Sequence, residues 1–395
     1  MVNWVWVVGG GRIQEPLIRE FCRRGYDVVI GDRDFGCHCA HLGHVIKADT
    51  YDSSQQLLAC RYTESLRETS PKAVMTAGTD ATEAVAAIAE YYHLPGISWE
   101  VAHRTRTKHL MREATRYPHP WFVAGPHPQT KGFPCVVKPV DSNASHGITL
   151  CQDPDSSELG EAIERARAAN RFSDIVLIEE YLHPHEEAST DWFVENGHVY
   201  YVNGAYRSFE SDTFGLETGW VNPFPINGEI AALAHTATAA LGVKEGPFKM
   251  DIINDERYGW TILECTTRWS GSFDHTLGAL YATGRNLSIT LADFALGKPF
   301  HPKVLTYTTR VYVGCYAPPV KLSRIPPDLL DTLREHPHVL EAIVTGAPGG
   351  PSLADRPLFI LARGNSVATA KSHAQEAWQG WVEYERTMNL GGGDH

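Results

Sequence analysis

Short, wholly apolar runs alternate along the chain with stretches in which hydrophobic residues recur every three or four positions. Val5 to Val8 is apolar throughout, follows Trp4 and runs into Gly9-Gly10-Gly11, which predicts a buried strand entering a glycine turn. Ile13 to Arg24 has helical spacing, and Gly25 is placed to cap it. Asp27 to Ile30 predicts a second strand, ending at Asp32. Ala73 to Thr76 predicts another, followed by a helix around Glu83 to Tyr92. Strand and helix in alternation spell a parallel α/β unit.

Beyond a connection rich in Pro, Gly and His (Pro118 to Pro134), the pattern changes to hairpins. Cys135 to Lys138 and Ile148 to Cys151 flank a small polar loop, Asp141 to Gly147. Ser157 to Ala169 predicts a helix and Ile175 to Glu179 a strand. Trp192 to Val194 and His198 to Val202 surround Asn196-Gly197, a strong turn signal. Gly228 to Leu241 is helical. Phe248 to Ile253 and Trp260 to Leu263 are strands about a turn at Asp255 to Gly259, and Asn286 to Leu296 is a helix capped by Gly297. After Pro302 the pattern starts afresh, with strands at Thr308 to Tyr316, Leu340 to Val344 and Leu358 to Ala362 and a helix at Gln375 to Tyr384. The terminal GGGDH is expected to be disordered.

The chain has 395 residues, too many for one ordinary core, so two or three packed units are expected. Hydrophobic residues at 43% and charged residues at 21% suit a globular protein. A formal charge of −12 argues against a nucleic-acid surface as the main business, because such domains carry a basic patch. No apolar run has the length of a membrane span or signal core, so a cytoplasmic protein without a membrane partner is expected. Eight scattered cysteines suit reduced thiols. GCHCAHLGH (Cys37, His38, Cys39, His41, His44) is rich in ligand atoms, but its spacing is not that of a structural zinc site, and a surface loop is the reading. Gly9, Gly11 and Asp32 sit where a dinucleotide fingerprint wants them, yet Gln14 stands in place of the third glycine.

Candidate chemistry lies further on. Lys138 ends a strand, and the loop after it can offer backbone N–H groups and hydroxyls to phosphate oxygens, with the lysine as a point charge. Glu179 to Leu182 is an acidic strand end whose free backbone edge can pair with an adenine, and Glu187, close after it, can accept ribose hydroxyls. Asp251 and Glu264 fall on two strands of one hairpin. If they lie opposite, their Cβ atoms stand about 5 Å apart. Carboxylates that close repel unless a cation joins them, and magnesium takes carboxylate oxygens while sharing its shell with phosphates. Lys249 falls on the same strand face as Asp251, and Arg268 offers a bidentate match to phosphoryl oxygens. Cys265, next to Glu264, alternates to the opposite face and reads as core. Arg207 and His275 are candidates for substrate contact, with a structural role as the alternative.

In this order the pieces resemble the ATP-grasp superfamily. The resemblance spans Thr105 to Gly297 and points to the superfamily's amino-acid, carboxylate–amine ligase-like members and its carboxylase-like branch. It implies an α/β and α+β multidomain protein. A Rossmann-like N-terminal domain would cover 1–104 and a two-lobed ATP-grasp domain 105–300 (lid lobe about 119–190, metal lobe about 191–300), with a small C-terminal α+β domain over 301–395. It also implies that Lys108 and Lys138 contact the nucleotide phosphates under a lid from Ser142 through Ser145 to Gly147. Glu179, Glu180, Tyr181 and Leu182 would form the adenine hinge, similar to the family's Glu-Lys-Tyr-Leu, and Glu187 would bind ribose. Asp251 and Glu264 would ligate magnesium (or manganese), with Thr266 at the third ligand position, while Lys249 and Arg268 would serve catalysis. The sequence departs from the pattern at Glu180, where the family has Lys, and at Thr266, where it has Asn. The implied activity is ATP-dependent ligation of a small-molecule carboxylate to an amine, with a homodimer as the expected assembly. A kinase or carboxylase on the same scaffold, a nicotinamide-dependent oxidoreductase and a non-catalytic nucleotide sensor are the alternatives.

Overall fold

The structure, a computed structural model, describes residues 3–116, 119–142, 145–154, 156–209, 215, 217–301, 311–321, 323, 325–326, 328–347 and 355–390. Three sheets organise them. The first is parallel, in the order β3-β2-β1-β4, with β1 Trp4–Val8, β2 Asp27–Asp32, β3 His44–Lys47 and β4 Val74–Met75. Every side chain of β1 is buried because both faces are covered, which is why the run is apolar without alternation. Val5 and Val7 pack with Leu17, Phe21 and Leu291, whereas Trp4, Trp6 and Val8 pack on the other face with Cys60 and Ile88.

The second sheet, in the order β5-β8-β6-β7, is antiparallel, with β5 Phe122–Gly125, β6 Cys135–Pro139, β7 Thr149–Cys151 and β8 Val176–Glu180. Its two faces divide by strict alternation. Cys135, Val137 and Cys151 pack on the helix Ser156–Ala169 through Ala162 and Ala166, while Val136, Lys138 and Leu150 face a cleft.

The third sheet faces that cleft from the other side. It has eight strands in the order β13-β12-β9-β10-β11-β14-β16-β15. Its members are β9 Pro184–Glu195, β10 His198–Phe209, β11 Glu217–Asn222, β12 Gly246–Asp255, β13 Gly259–Thr266, β14 Tyr312–Tyr316, β15 Val339–Val344 and β16 Leu358–Gly364. The helix Gly228–Leu241 buries Ile230, Ala234 and Leu241 against Trp192, Phe248 and Ile252.

The pattern missed some elements and shortened others. Helices at Ser53–Arg67, Trp99–Arg106 and Lys108–Thr115 were absent from it, and the strands at β9 and β10 extend to twelve residues each. The expected helix from Ile13 begins instead with a tight turn, Arg12–Gln14, and is regular only over Glu15–Arg23. The last helix spans Val367–Leu390, far longer than expected. The tail strands do not form a sheet of their own: β14 pairs with β11 and continues the large sheet. Asn143, Ala144, Pro118, the start of the strand expected from Thr308 and the terminal GGGDH lie outside the described residues.

Candidate active site

The cleft comprises two adjoining cavities of about 450 and 820 Å³ that share Lys138, Ser145, Ile148 and Arg207 on their walls. Lys108, Lys249, Asp251, Glu264, Thr266 and Arg268 line the smaller. Glu180, Tyr181, Leu182 and Glu187 line the larger. All but one of the site residues expected from the sequence, apart from Gly147, therefore border one space.

The hairpin β12–β13 places Asp251 directly opposite Glu264, with the register shifting only after that pair. Opposite residues share a face, so both carboxylates turn to the cleft. The Lys249 ammonium donates to Asp251 Oδ2 at 2.7 Å, and the Ser189 hydroxyl donates to Oδ1. Burial would raise the Asp251 carboxyl, but Lys249 and Arg207 outweigh it and hold it at about 2. Lys108 stands 3.5 Å from Glu264 Oε1 and donates to the Ser142 carbonyl at 2.6 Å, tying the start of the lid loop to the hairpin.

Four of the expected residues have side chains engaged elsewhere in the fold. The Glu179 carboxylate is not open to a nucleotide: it is buried between Arg112 Nε and Lys138 Nζ, each at 2.5 Å. Glu180 engages Tyr258 (2.8 Å), His119 and Arg257 (both 3.1 Å) with its carboxylate. Thr266 directs its hydroxyl to Asp80 at 3.4 Å rather than joining the carboxylate pair. His275 does not border the cleft: it is wholly buried, and burial pulls its imidazole down to about 4.

Gly147, in the loop before β7, holds φ +75°, and a Cβ there would meet that of Ala169 at 2.4 Å, so the loop needs glycine at this point. Arg207 bridges Glu217 at 2.8 Å and Glu187 at 3.5 Å, spanning the two cavities. Burial raises the Glu187 carboxyl above its ordinary range despite Arg207.

Sequence reasoning passed over two residues. Arg112 sits on the short helix Lys108–Thr115 and also donates to the carbonyls of Ile262 (2.7 Å) and Leu263 (2.9 Å), immediately before Glu264. One guanidinium thus fixes both the Lys138 partner and the metal-side strand. Asp80, on the loop after β4, accepts from Arg268 Nε at 2.8 Å. Burial would raise its carboxyl, but Arg268 holds it far below the carboxylate range. Since Arg268 Nη1 donates to the Trp269 carbonyl at 3.0 Å, the opposite end of the guanidinium is left to the cleft. Neither residue belongs to a local motif. Each acts from an element distant in sequence.

The glycine turn and the Cys/His run find partners within their own neighbourhood. The Gly10 N–H donates to Asp32 Oδ2 at 2.7 Å, and a Cβ at Gly10 would lie 2.4 Å from Cys37 Sγ. His38 pairs with Glu15 at 2.7 Å, and Cys39 faces the Gly11 carbonyl. Among the described residues no three His, Cys, Asp or Glu side chains converge as a metal cage.

The cleft lies between a small antiparallel sheet and a large one, with lysines, arginines and paired carboxylates on its walls. Residues 131–274 match the family model of the ATP-grasp domain. It is 29% identical over 207 residues to the D-alanine–D-alanine ligase of Alcanivorax borkumensis, covering 49% of this chain and 63% of that protein, so it spans under two thirds of that relative's length. In fold it is similar to an L-amino acid ligase from Bacillus licheniformis (TM-score 0.76, 20% identity, 96% of this chain and 98% of the other). It is also similar to the N5-carboxyaminoimidazole synthetase of Staphylococcus aureus in complex with ADP (TM-score 0.72, 14% identity, 95% and 98%).

Proposed function

We propose that the chain is an ATP-dependent ligase that activates a small-molecule carboxylate, of amino-acid type, for attack by an amine. The observation that carries this reading is the register pair Asp251–Glu264 facing one cleft with Lys108, Lys138, Lys249 and Arg268. The ligases among its relatives add support.

The nucleotide base would lie in the larger cavity against the backbone of Glu180 to Leu182, with Glu187 at the ribose. Lys138 and Lys108 would meet the phosphates. The donor set fits a hard divalent cation: two carboxylates on one strand face, in a cleft where phosphate oxygens complete the shell. Asp251 and Glu264 would hold magnesium, which when bound neutralises charge on the phosphates. In the first step a carboxylate oxygen of the substrate forms a bond to the terminal phosphorus, and ADP departs with the electron pair. In the second, the amine nitrogen bonds to the acyl carbon, phosphate leaves, and the nitrogen gives up its proton. Arg268 and Lys249 would stabilise the charge that develops in both. The lid about Ser142, Ser145 and Gly147 would exclude water from the acyl phosphate.

Free thiols at all eight cysteines are consistent with a reducing, cytoplasmic setting, and no described helix is long and apolar enough to cross a membrane. A homodimer belongs to the same reading, and sedimentation tests it. The test of function is ADP release over amino acids supplied singly and in pairs, with mass detection. We expect a condensed product at the summed mass less one water. ADP release with bicarbonate alone, or a phosphorylated product without condensation, would replace the ligase by a carboxylase or kinase on the same scaffold.

A further inference from the structure

Part of the smaller cavity's lining is apolar and forms a recess apart from the lysines and the carboxylate pair. Its walls come from three parts of the chain: Ile13 and Gly78 from the first sheet's loops, Phe273 from the loop after β13, and Thr345 and Phe359 from the tail. Ile13, Phe273 and Phe359 belong to one apolar cluster, and the two phenylalanine rings meet edge to face at 5.4 Å. Of the polar residues on the same lining, which include Tyr51 and Ser272, Thr345 and Arg12 are engaged. The Thr345 hydroxyl donates to the Arg356 carbonyl at 3.0 Å and accepts from Ala347 N–H at 3.3 Å. Arg12, at the mouth, donates to the Val344 carbonyl at 3.4 Å and also borders a separate outer groove.

The backbone is constrained to build this surface. Ser272 and Phe273 hold φ values of +57° and +70°, a region costly for side-chain-bearing residues, and the Ser272 carbonyl is fixed by Trp220 Nε1 at 2.8 Å. Gly78 holds φ +65°, and a Cβ there would lie 2.6 Å from Ile13 Cδ1, pushing that side chain into the recess. Strain kept by two successive residues, and a glycine that spares the opposite wall, point to a shaped receptor for a ligand group.

We propose that this recess receives the side chain of the substrate that is activated, and that this side chain is apolar: aliphatic or aromatic, not charged. The inference rests on the ligase reading above, because it takes the nucleotide to fill the remainder of the cleft. Ile13, Phe273 and Phe359 offer a charged or hydroxylated group no partner, and such a group would lose its water against them.

The experiment is calorimetric titration of the full chain, with magnesium and a non-hydrolysable ATP analogue present. The probes are glycine, alanine, leucine, phenylalanine, serine, glutamate and lysine, and ADP release is measured in parallel with ATP. Leucine or phenylalanine should bind at least about tenfold more tightly than serine, glutamate or lysine, as a site that discriminates by apolar fit does. Ile13→Ala should move the preference toward phenylalanine and Ile13→Phe toward alanine. Phe359→Leu, with its melting temperature as a check on folding, should shift it in the same direction as Ile13→Ala. Preferential binding of glutamate or lysine, a flat order across the panel, or no binding at all would overturn the proposal. The predicted order in binding without ADP release would keep the recess and remove the ligase reading.

Discussion

Two acidic strand ends of this protein look alike in sequence and behave in opposite ways. Asp32 closes β2 beside a glycine turn, and Asp251 and Glu264 close on each other across β12 and β13. The oxygens of Asp32 are taken by backbone N–H groups of its own neighbourhood, Gly10 at 2.7 Å and Asp34 at 2.9 Å, with Cys37 packed over the turn. Those of Asp251 and Glu264 face side-chain ammonium groups, Lys249 at 2.7 Å and Lys108 at 3.5 Å, across an open cleft. An acid satisfied by fixed backbone donors has finished its work when the chain folds. One balanced by flexible cations can exchange those cations for a metal and a phosphate at low cost in reorganisation. The partner of an acid separates scaffold from site better than its place on a strand.

The largest effect should come from the cation that underlies the cleft. Arg112→Met leaves Glu179 buried against Lys138 alone and frees the carbonyls before Glu264. A loss of roughly 3–5 kcal/mol is expected by denaturant unfolding. Burial would raise the Glu179 carboxyl, but Arg112 and Lys138 hold it at about 2 against an ordinary 4.5. The folded state therefore binds fewer protons than the unfolded one in that range. Stability from this group is present above about pH 4.5 and falls as the pH drops toward 2. Arg112→Met should flatten that acid limb, and an unchanged limb would dissociate Glu179 from Arg112. Next in size, Glu264→Gln should cut ADP release by roughly 100- to 1000-fold while leaving the unfolding midpoint almost unmoved. Turnover near wild type in that variant would take Glu264 out of the site.

Local pattern carried much of this architecture. Continuous apolar runs marked the parallel strands, and period-two alternation at Cys135 to Lys138 separated the core face from the cleft face. The Asp251–Glu264 register followed from a hairpin with an evident turn. What pattern could not carry was pairing at a distance. Arg112 and Asp80 are ordinary polar residues of a helix and a loop, and their importance comes from carbonyls and guanidinium groups some 150 to 190 positions away. The anchoring of Glu179 was illegible for the same reason: its two cationic partners arrive from elements no local window contains. His275 follows the hairpin closely and yet is turned into the interior.

Asp80 is also held by a cation, but by a guanidinium that is fixed in turn by the Trp269 carbonyl rather than by a flexible ammonium. It lies outside the hairpin and accepts from Arg268 Nε and from the Thr266 hydroxyl. Asp80→Asn keeps the shape and removes the charge. ADP release should fall about tenfold, a smaller change than at Glu264, because Arg268 remains charged but is aimed less well. The change should appear in kcat, with the ATP requirement nearly constant. An equal rise in the ATP requirement would instead make Asp80 part of nucleotide binding.

The smallest effect is reserved for Asp32, where the comparison is most exposed. Asp32→Asn keeps one carbonyl acceptor and replaces the other oxygen with an amide that faces a backbone N–H. One hydrogen bond of the glycine turn is lost, at a net cost of about 1 kcal/mol. The turn lies on the N-terminal sheet, where the Gly10 N–H donates to Asp32 and the Gly9 N–H to the Gly31 carbonyl at 2.9 Å. ADP release and the ATP requirement should therefore equal those of the unmodified protein. If the variant instead loses turnover in proportion to Glu264→Gln, backbone satisfaction does not mark an acid as scaffold, and the glycine turn must be reconsidered as part of the working site.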